Sequence, residues 1–203
     1  MEKLVNIYGK RFFARRYKLS WRAPFVCEAI KKVFNPMSVI DVGAAIGDLV
    51  KGFQNLGIHS VGIEGSNEAL KFLECPATDI YFLDLRVQLP DLQRLELVTC
   101  FEVLEHIEEE YCKVLVGNLC RLSDNLLLSA APPGQGGHHH VNCQEPEYWE
   151  TEFMAQGYGR DKDAEEEFKK EIHPWRYKPG IKAFHMNALC FRKYKLGEGT
   201  NGL

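Results

Sequence analysis

Histidines and carboxylates at two places in the chain carry the residue types that move protons. In FEVLEHI, Phe101 to Ile107, His106 follows an apolar run beginning at Leu95. An imidazole there, with an ordinary pKa near neutrality, can act as a general base. The plainer alternative is that His106 orients the helix that follows, or only lines a pocket. In GQGGHHHVN, Gly134 to Asn142, three consecutive histidines sit on a glycine-rich loop. Side chains alternate along an extended segment, so His138 and His140 are expected to face a pocket together while His139 faces out. Substrate binding or proton transfer by one of them, and an exposed polar loop, are equally open readings.

The elements that must position these residues begin at SVIDVGAAIGDL, Ser38 to Leu49. Ser38, Val39, Ile40 and Val42 form a short apolar run of the kind found in a parallel strand covered on both faces. Leu49, Val50, Phe53 and Leu56 then recur at helical spacing, so the period changes across a glycine turn from Asp41 to Gly47. Gly43 can take a φ that a Cβ forbids, and Gly47 is expected to let the helix start approach a ligand. Free N–H groups at that helix start favour a negative group. A dinucleotide fingerprint requires G-x-G-x-x-G, but counted from Gly43 this chain has Ala45 and Asp48 at the second and third glycine positions. Asp41, Gly43, Ala45 and Gly47 instead fit an acid followed by glycines at alternate positions, with one substitution.

With that turn the chain resembles the class I S-adenosylmethionine-dependent methyltransferases, and later segments continue the resemblance in the family's order. HSVGIEGS, His59 to Ser66, is a second strand ending in Glu64. IYFLDL, Ile80 to Leu85, is a third ending in Asp84. LELVTCFEVLEHIEEE, Leu95 to Glu110, is a fourth running into a helix start, and LLLSAAPPG, Leu126 to Gly134, a fifth broken by Pro132 and Pro133. The resemblance covers about residues 38–135. It implies an α/β, Rossmann-like, doubly wound, mostly parallel seven-stranded sheet with an antiparallel last strand and helices on both faces. It also implies that S-adenosylmethionine is held by Asp41, Gly43, Ala44, Ala45 and Gly47 at its methionine part, and by Glu64, Gly65 and Ser66 at its ribose. Asp84 and Leu85 would lie at its adenine, and Phe101, Glu102 and Val103 beneath adenine and the transferable methyl.

Composition fits one globular domain: 203 residues, 45% hydrophobic and 26% charged. The reading divides it into a basic, aromatic lid or arm (1–22), a cofactor-binding core (23–135), a substrate-side loop with helices and the last strand (136–195), and a frayed tail (196–203). Pro24 opens a helix with Val26, Ala29, Ile30 and Val33 on one face. EPEYWETEFMAQGY is a helix ending near Gly157, and Lys162 to Glu171 an acidic one with Ala164, Phe168 and Ile172 buried and its charges solvated. A long loop containing His173, Trp175 and Pro179 leads to a last strand, Asn187 to Phe191. No apolar run approaches the roughly 20 residues of a membrane helix, and the N-terminus is charged rather than an apolar signal, so a cytoplasmic protein is expected. Seven scattered cysteines without a C-x-x-C pair read as reduced packing residues.

The expected activity is O-methylation of a small molecule, such as a sugar or aromatic metabolite, with His106, His138 and His140 as candidate catalytic residues. A hydroxyl acceptor needs its proton removed or its pKa lowered by a metal. Glu102-x-x-Glu105-His106 with a later histidine resembles the metal site of plant small-RNA 2′-O-methyltransferases. That resemblance implies Glu102, Glu105, His106 and His140 (or His138) as ligands for magnesium or manganese, and metal-assisted methylation of RNA ribose as the alternative activity. A non-catalytic S-adenosylmethionine-binding regulator is a further alternative. Lys3, Lys10, Arg11, Arg15, Arg16, Lys18 and Arg22, interleaved with Tyr8, Phe12, Phe13, Tyr17 and Trp21, suit a single-strand-binding arm. The formal charge of −3 disfavours nucleic acid and favours a lid whose aromatics cover the pocket with cations at its rim. No D-P-P-Y-type string or P-C nucleophile points to DNA base methylation. The sequence leaves oligomeric state open and gives no membrane partner.

Overall fold

A computed structural model describes residues 7–194, so the tail expected at 196–203 and the first six residues of the N-terminal segment lie outside the described residues. Strands β1 (Ser38–Val42), β2 (His59–Glu64), β3 (Ile80–Phe82), β4 (Leu97–Phe101), β5 (Asn125–Ser129), β6 (Tyr158–Arg160) and β7 (Ala188–Lys193) form one sheet in the order β3-β2-β1-β4-β5-β7-β6. β7 runs antiparallel to both β5 and β6, and the other pairings are parallel. The chain leaves β1 towards β2 and β3 and returns on the other side at β4. The carboxyl ends of β1 and β4 therefore part there and open a crevice.

Alternation along the strands sorts the core. Ile40, Val98, Leu126, Leu128 and Phe191 face helices α4 (Cys112–Leu122) and α5 (Pro146–Met154), meeting Leu115, Leu119, Trp149 and Phe153. Val39, Leu97, Leu127 and Cys190 face α2 (Ala23–Phe34), α3 (Asp48–Asn55) and α6 (Lys162–Ile172), meeting Val26, Ile30, Phe53, Phe168 and Ile172. Proline in the first turn of α2 fixes its start, and of the expected stripe Val26, Ala29 and Ile30 are buried and Val33 is half-buried. All seven cysteines are free, and six of them are buried. Among the described residues no helix is long and apolar enough to cross a membrane.

The structure corrects the expected elements at several points. β3 stops at Phe82, so Asp84 and Leu85 follow the strand rather than end it. β5 stops at Ser129, and the two prolines belong to the loop beyond it. β6 is three residues of a sheet edge inside a stretch read as a turn between helices. The segment read as a loop before β7 contains the short helix α7 (Lys182–Met186). The acidic helix is also not wholly solvated. Glu165 is 3% exposed and takes two bonds from the Arg160 guanidinium, at 3.0 and 2.9 Å, joining α6 to β6.

Candidate active site

A cleft with about 830 Å³ of empty space, solvent mouth included, lies at the carboxyl ends of β1, β2 and β4 beneath helix α1 (Lys10–Tyr17). Ligands of open α/β sheets commonly bind at this position in the fold. Its floor is the glycine turn. The N–H groups of Gly43 and Ala44 donate to the Ile63 carbonyl at 2.8 and 2.9 Å, sewing the turn to the end of β2. Gly43 has φ +77°, and a Cβ on it would lie 2.3 Å from Val103 Cγ2. Ala45 keeps the left-handed φ of +51° at the position where the pattern has alanine for glycine.

Asp41 is buried beneath this floor and accepts from Thr99 Oγ1 at 2.7 Å. Burial pushes its carboxyl up to about 7 against that bond. The folded chain thus keeps this proton to higher pH than the unfolded chain, whose aspartate titrates near pH 4. The associated stability erodes as pH rises from about 4 to about 7. Asp41→Asn, which retains an acceptor for Thr99, removes this liability. Its melting temperature relative to the parent should climb by a few degrees between pH 5 and 8, and a flat difference in scanning fluorimetry would contradict the assignment.

Glu64 at the end of β2 is held by backbone N–H groups from Ala45 (2.9 Å) and Ser66 (2.8 Å), and burial pushes its carboxyl up to about 7. Asp84 lines the cleft, but Arg86 takes both its oxygens through Nε and Nη2. Partial burial opposes its charge, and these bonds overcome that and hold the carboxyl below the usual range. The adenine-amino role expected of Asp84 competes with that ion pair. Glu102 sits on a left-handed backbone, φ +55°, a conformation costing of order 1–3 kcal/mol in a non-glycine residue. Ser129 Oγ and Asn187 Nδ2 donate to its Oε1, and Gln135 Nε2 to its Oε2, at 2.9, 3.2 and 3.3 Å.

His106 reaches the cleft and His140 packs against it, ring centroids 5.0 Å apart. The His139 carbonyl accepts from His106 Nδ1 at 3.0 Å, which leaves Nε2 as the lone-pair nitrogen. Burial pushes His106 down to about 4, so it is neutral at physiological pH. Beside it Glu105 is fully buried, and neither carboxylate oxygen has a hydrogen-bond partner. Burial, reinforced by the charge of Glu102, raises the Glu105 carboxyl well above the usual carboxylate range. One ligand atom from each of Glu105, His106 and His140 lies within 4.8 Å of the others. Glu102, expected as a fourth ligand, stands outside that group with its oxygens committed elsewhere. The alternation expected of the histidine loop is absent, because His139 turns at φ +56°. His138 does not line the cleft; it is exposed, lies against Tyr8 and Phe12, and donates from Nε2 to the Ile7 carbonyl at 2.8 Å.

The N-terminal segment covers the cleft. Tyr8 and Phe12 line it, while Phe13 is fully buried with Ile46 and Ala69. Two cations expected at the rim are inside: Arg16 lines the cleft, and Arg22, 5% exposed, pairs with Asp48 at 3.3 Å. Arg22 also donates to the Gly180 carbonyl at 3.1 Å and lies over the Phe184 ring.

Eleven of the thirteen expected cofactor residues line the cleft, the exceptions being Gly47 and Ser66. A Cβ on Gly47 would strike Cys75 Sγ at 2.4 Å, so its small size serves packing rather than ligand approach. Ser66 donates its N–H to Glu64 and its Oγ to the Tyr8 carbonyl at 2.9 Å, tying the end of β2 to the N-terminal segment. Sequence reasoning missed Ser129, Gln135, Asn187, Asp48 and Phe184. Distant chain positions converge there with no local pattern, although Asp48 in the first turn of a helix was a visible signal.

No family model and no curated protein matches the chain. Solved structures do match in fold. DesVI of Streptomyces venezuelae aligns over 96% of this chain and 100% of its own, with TM-score 0.66 and 11% identity. The magnesium protoporphyrin IX methyltransferase ChlM of Synechocystis PCC 6803, with bound S-adenosylhomocysteine, aligns over 95% and 94%, with TM-score 0.59 and 18% identity. The chain has the class I methyltransferase fold. The cyclase SpnF aligns over 84% of this chain and 80% of its own with TM-score 0.57 and 13% identity, so the methyltransferase fold also carries other chemistry.

Proposed function

We propose that this chain is an S-adenosylmethionine-dependent methyltransferase acting on an oxygen of a small molecule, a sugar or aromatic metabolite, held beneath α1. The observation that carries the cofactor reading is Glu64. Ala45 and Ser66 use two of the roughly four lone-pair directions of its carboxylate, leaving acceptors for a pair of ribose hydroxyls. Gly43, lacking a Cβ, leaves the floor beside Val103 open, so the residues fit the group. S-adenosylmethionine, when bound, supplies a methyl on a sulfonium leaving group. The protein then has to align the acceptor, exclude water and receive the acceptor's proton.

His106 suits the last task, with Nδ1–H committed to His139 and Nε2 free. Tyr8 and Phe12 suit the exclusion of water. Both, with Phe13, turn inward, while Lys10, Arg11, Arg15 and Lys18 stay exposed; this division favours a lid over a strand-binding arm.

Calorimetry with S-adenosylhomocysteine tests the cofactor, and no heat while a nicotinamide cofactor binds would overturn it. A screen of metabolite pools for S-adenosylhomocysteine release tests turnover, and binding without release supports the regulatory alternative. His106→Asn should lower turnover by roughly 10²- to 10⁴-fold with S-adenosylhomocysteine affinity nearly unchanged. Unaltered turnover would remove the base.

The unpartnered Glu105 carboxylate beside His106 and His140 favours one second reading, a divalent ion such as magnesium or manganese on these three residues. Such an ion, when bound, would acidify the acceptor hydroxyl, including an RNA ribose hydroxyl. Turnover abolished by a chelator and restored by magnesium or manganese supports that reading, and chelator-insensitive turnover rejects it. RNA filter binding distinguishes the acceptor.

A further inference from the structure

His173 and His185 meet where the end of α6 packs against α7, and neither lines the cleft. His173 opens the turn that follows α6, and His185 sits in α7. Each is anchored by a buried neighbour, Ile172 at 1% exposure and Phe184 at 2%. The two rings therefore stand on fixed backbone while reaching solvent. Nδ1 of His173 and Nε2 of His185 face each other at 3.3 Å, with ring centroids 5.3 Å apart and planes tilted by 53°. Among the described residues neither nitrogen has another hydrogen-bond partner. Two imidazoles on one tetrahedral zinc, with bonds of about 2.0–2.1 Å, hold their nitrogens about 3.3–3.4 Å apart and their ring centres about 5.2 Å apart. Both distances match. A straight hydrogen bond of this N···N length would set the ring centres at about 5.6 Å, because the ring axes would then lie along one line instead of converging on a point.

We infer that His173 and His185 form a transition-metal site apart from the cleft, taking zinc or a similar divalent ion through Nδ1 and Nε2. The inference does not rest on the methyltransferase reading. Imidazole nitrogens suit zinc, copper and nickel, whereas magnesium and calcium need oxygen ligands. The sequence from Ile172 to Leu196 contains no acid to supply them. Burial, followed by the charges of His173, Lys169 and Arg176, lowers the His185 pKa against the pull of Glu166, which leaves this imidazole in the neutral, ligating form at neutral pH. Tetrahedral coordination has two further positions, for water or for Glu166, which is exposed on α6 and held by Lys169 at 3.4 Å. An ion on the pair ties α7 to the end of α6. That helix carries Phe184, stacked on Phe101 at 4.3 Å in the cleft, and is followed by Asn187, which donates to Glu102 at 3.2 Å. The metal thus stiffens a wall of the cleft without entering it.

The experiment is calorimetric titration of zinc chloride into the full-length protein after chelator treatment and dialysis. The parent should bind one zinc at micromolar concentration, and His173→Asn and His185→Asn should each weaken it by roughly tenfold or more. The double variant His140→Asn with Cys143→Ser, which removes the donors beside the cleft, should bind that zinc as the parent does, and excess magnesium should not displace it. Cobalt(II) gives an independent reading, since the parent should show the absorption of tetrahedral cobalt and His185→Asn should lack it. Zinc should also raise the melting temperature of the parent but of neither histidine variant, and melting without metal shows that both variants fold. The inference is overturned by a parent with no zinc affinity below about 1 mM, by less than a tenfold loss in either histidine variant, by displacement with magnesium, or by loss of binding in the cleft variant instead.

Discussion

Glu64→Ala is expected to weaken S-adenosylhomocysteine binding by roughly 100-fold or more, each lost hydrogen bond to a charged acceptor contributing about 1.5–3 kcal/mol. The substitution removes the acceptor proposed for the ribose hydroxyls. It also strands the N–H groups of Ala45 and Ser66, so the turn that forms the cleft floor keeps its backbone bonds to Ile63 but loses its side-chain tie to β2. A pH signature accompanies the loss. Burial raises the Glu64 carboxyl to about 7, and hydroxyl donors favour its charged form, so parental affinity should tighten as pH rises through 7. That slope should vanish in Glu64→Ala. Equal affinities for parent and variant across this range would end the ribose assignment.

Gly43→Ala should cost about 2–5 kcal/mol of stability. An L-residue pays roughly 1–2 kcal/mol for a left-handed backbone, and overpacking adds about 1–3 kcal/mol. The position has φ +77°, and the new methyl would lie 2.3 Å from Val103 Cγ2. Val103 lines the cleft, so relief of the clash pushes it into the ligand space and costs affinity as well. Gly134→Ala separates the two contributions. Its φ is +84° but nothing lies within 4 Å of a Cβ there, so it should pay only for the backbone. Urea denaturation of both variants measures the difference, and equal losses would show that the contact with Val103 yields freely.

Legibility in the sequence followed the range of the interactions. The strand, turn and helix from Ser38 to Asn55 and the acid at Glu64 are local patterns written in glycine placement and apolar period, and the structure has them where the sequence indicates. β6 escaped because Tyr158–Arg160 is a three-residue edge, too short for any period. The histidine loop misled because strand alternation presumes an extended backbone, and His139 is not extended. For Arg16 and Arg22 composition gave a basic segment but not its direction, which is fixed by Asp48 and Gly180, 26 and 158 positions away from Arg22. The cage around Glu102 is drawn from β5, the loop after it and the residue between α7 and β7, and no short window of sequence contains all three.

The bonds from His138 to the Ile7 carbonyl and from Ser66 to the Tyr8 carbonyl secure two consecutive residues at the edge of the cleft, one from the histidine loop and one from the turn after β2. The N-terminal segment is thereby stapled at adjacent residues to two walls that lie 72 positions apart in sequence, so its place over the cleft is set jointly by both, and a change in either wall is felt at the same opening.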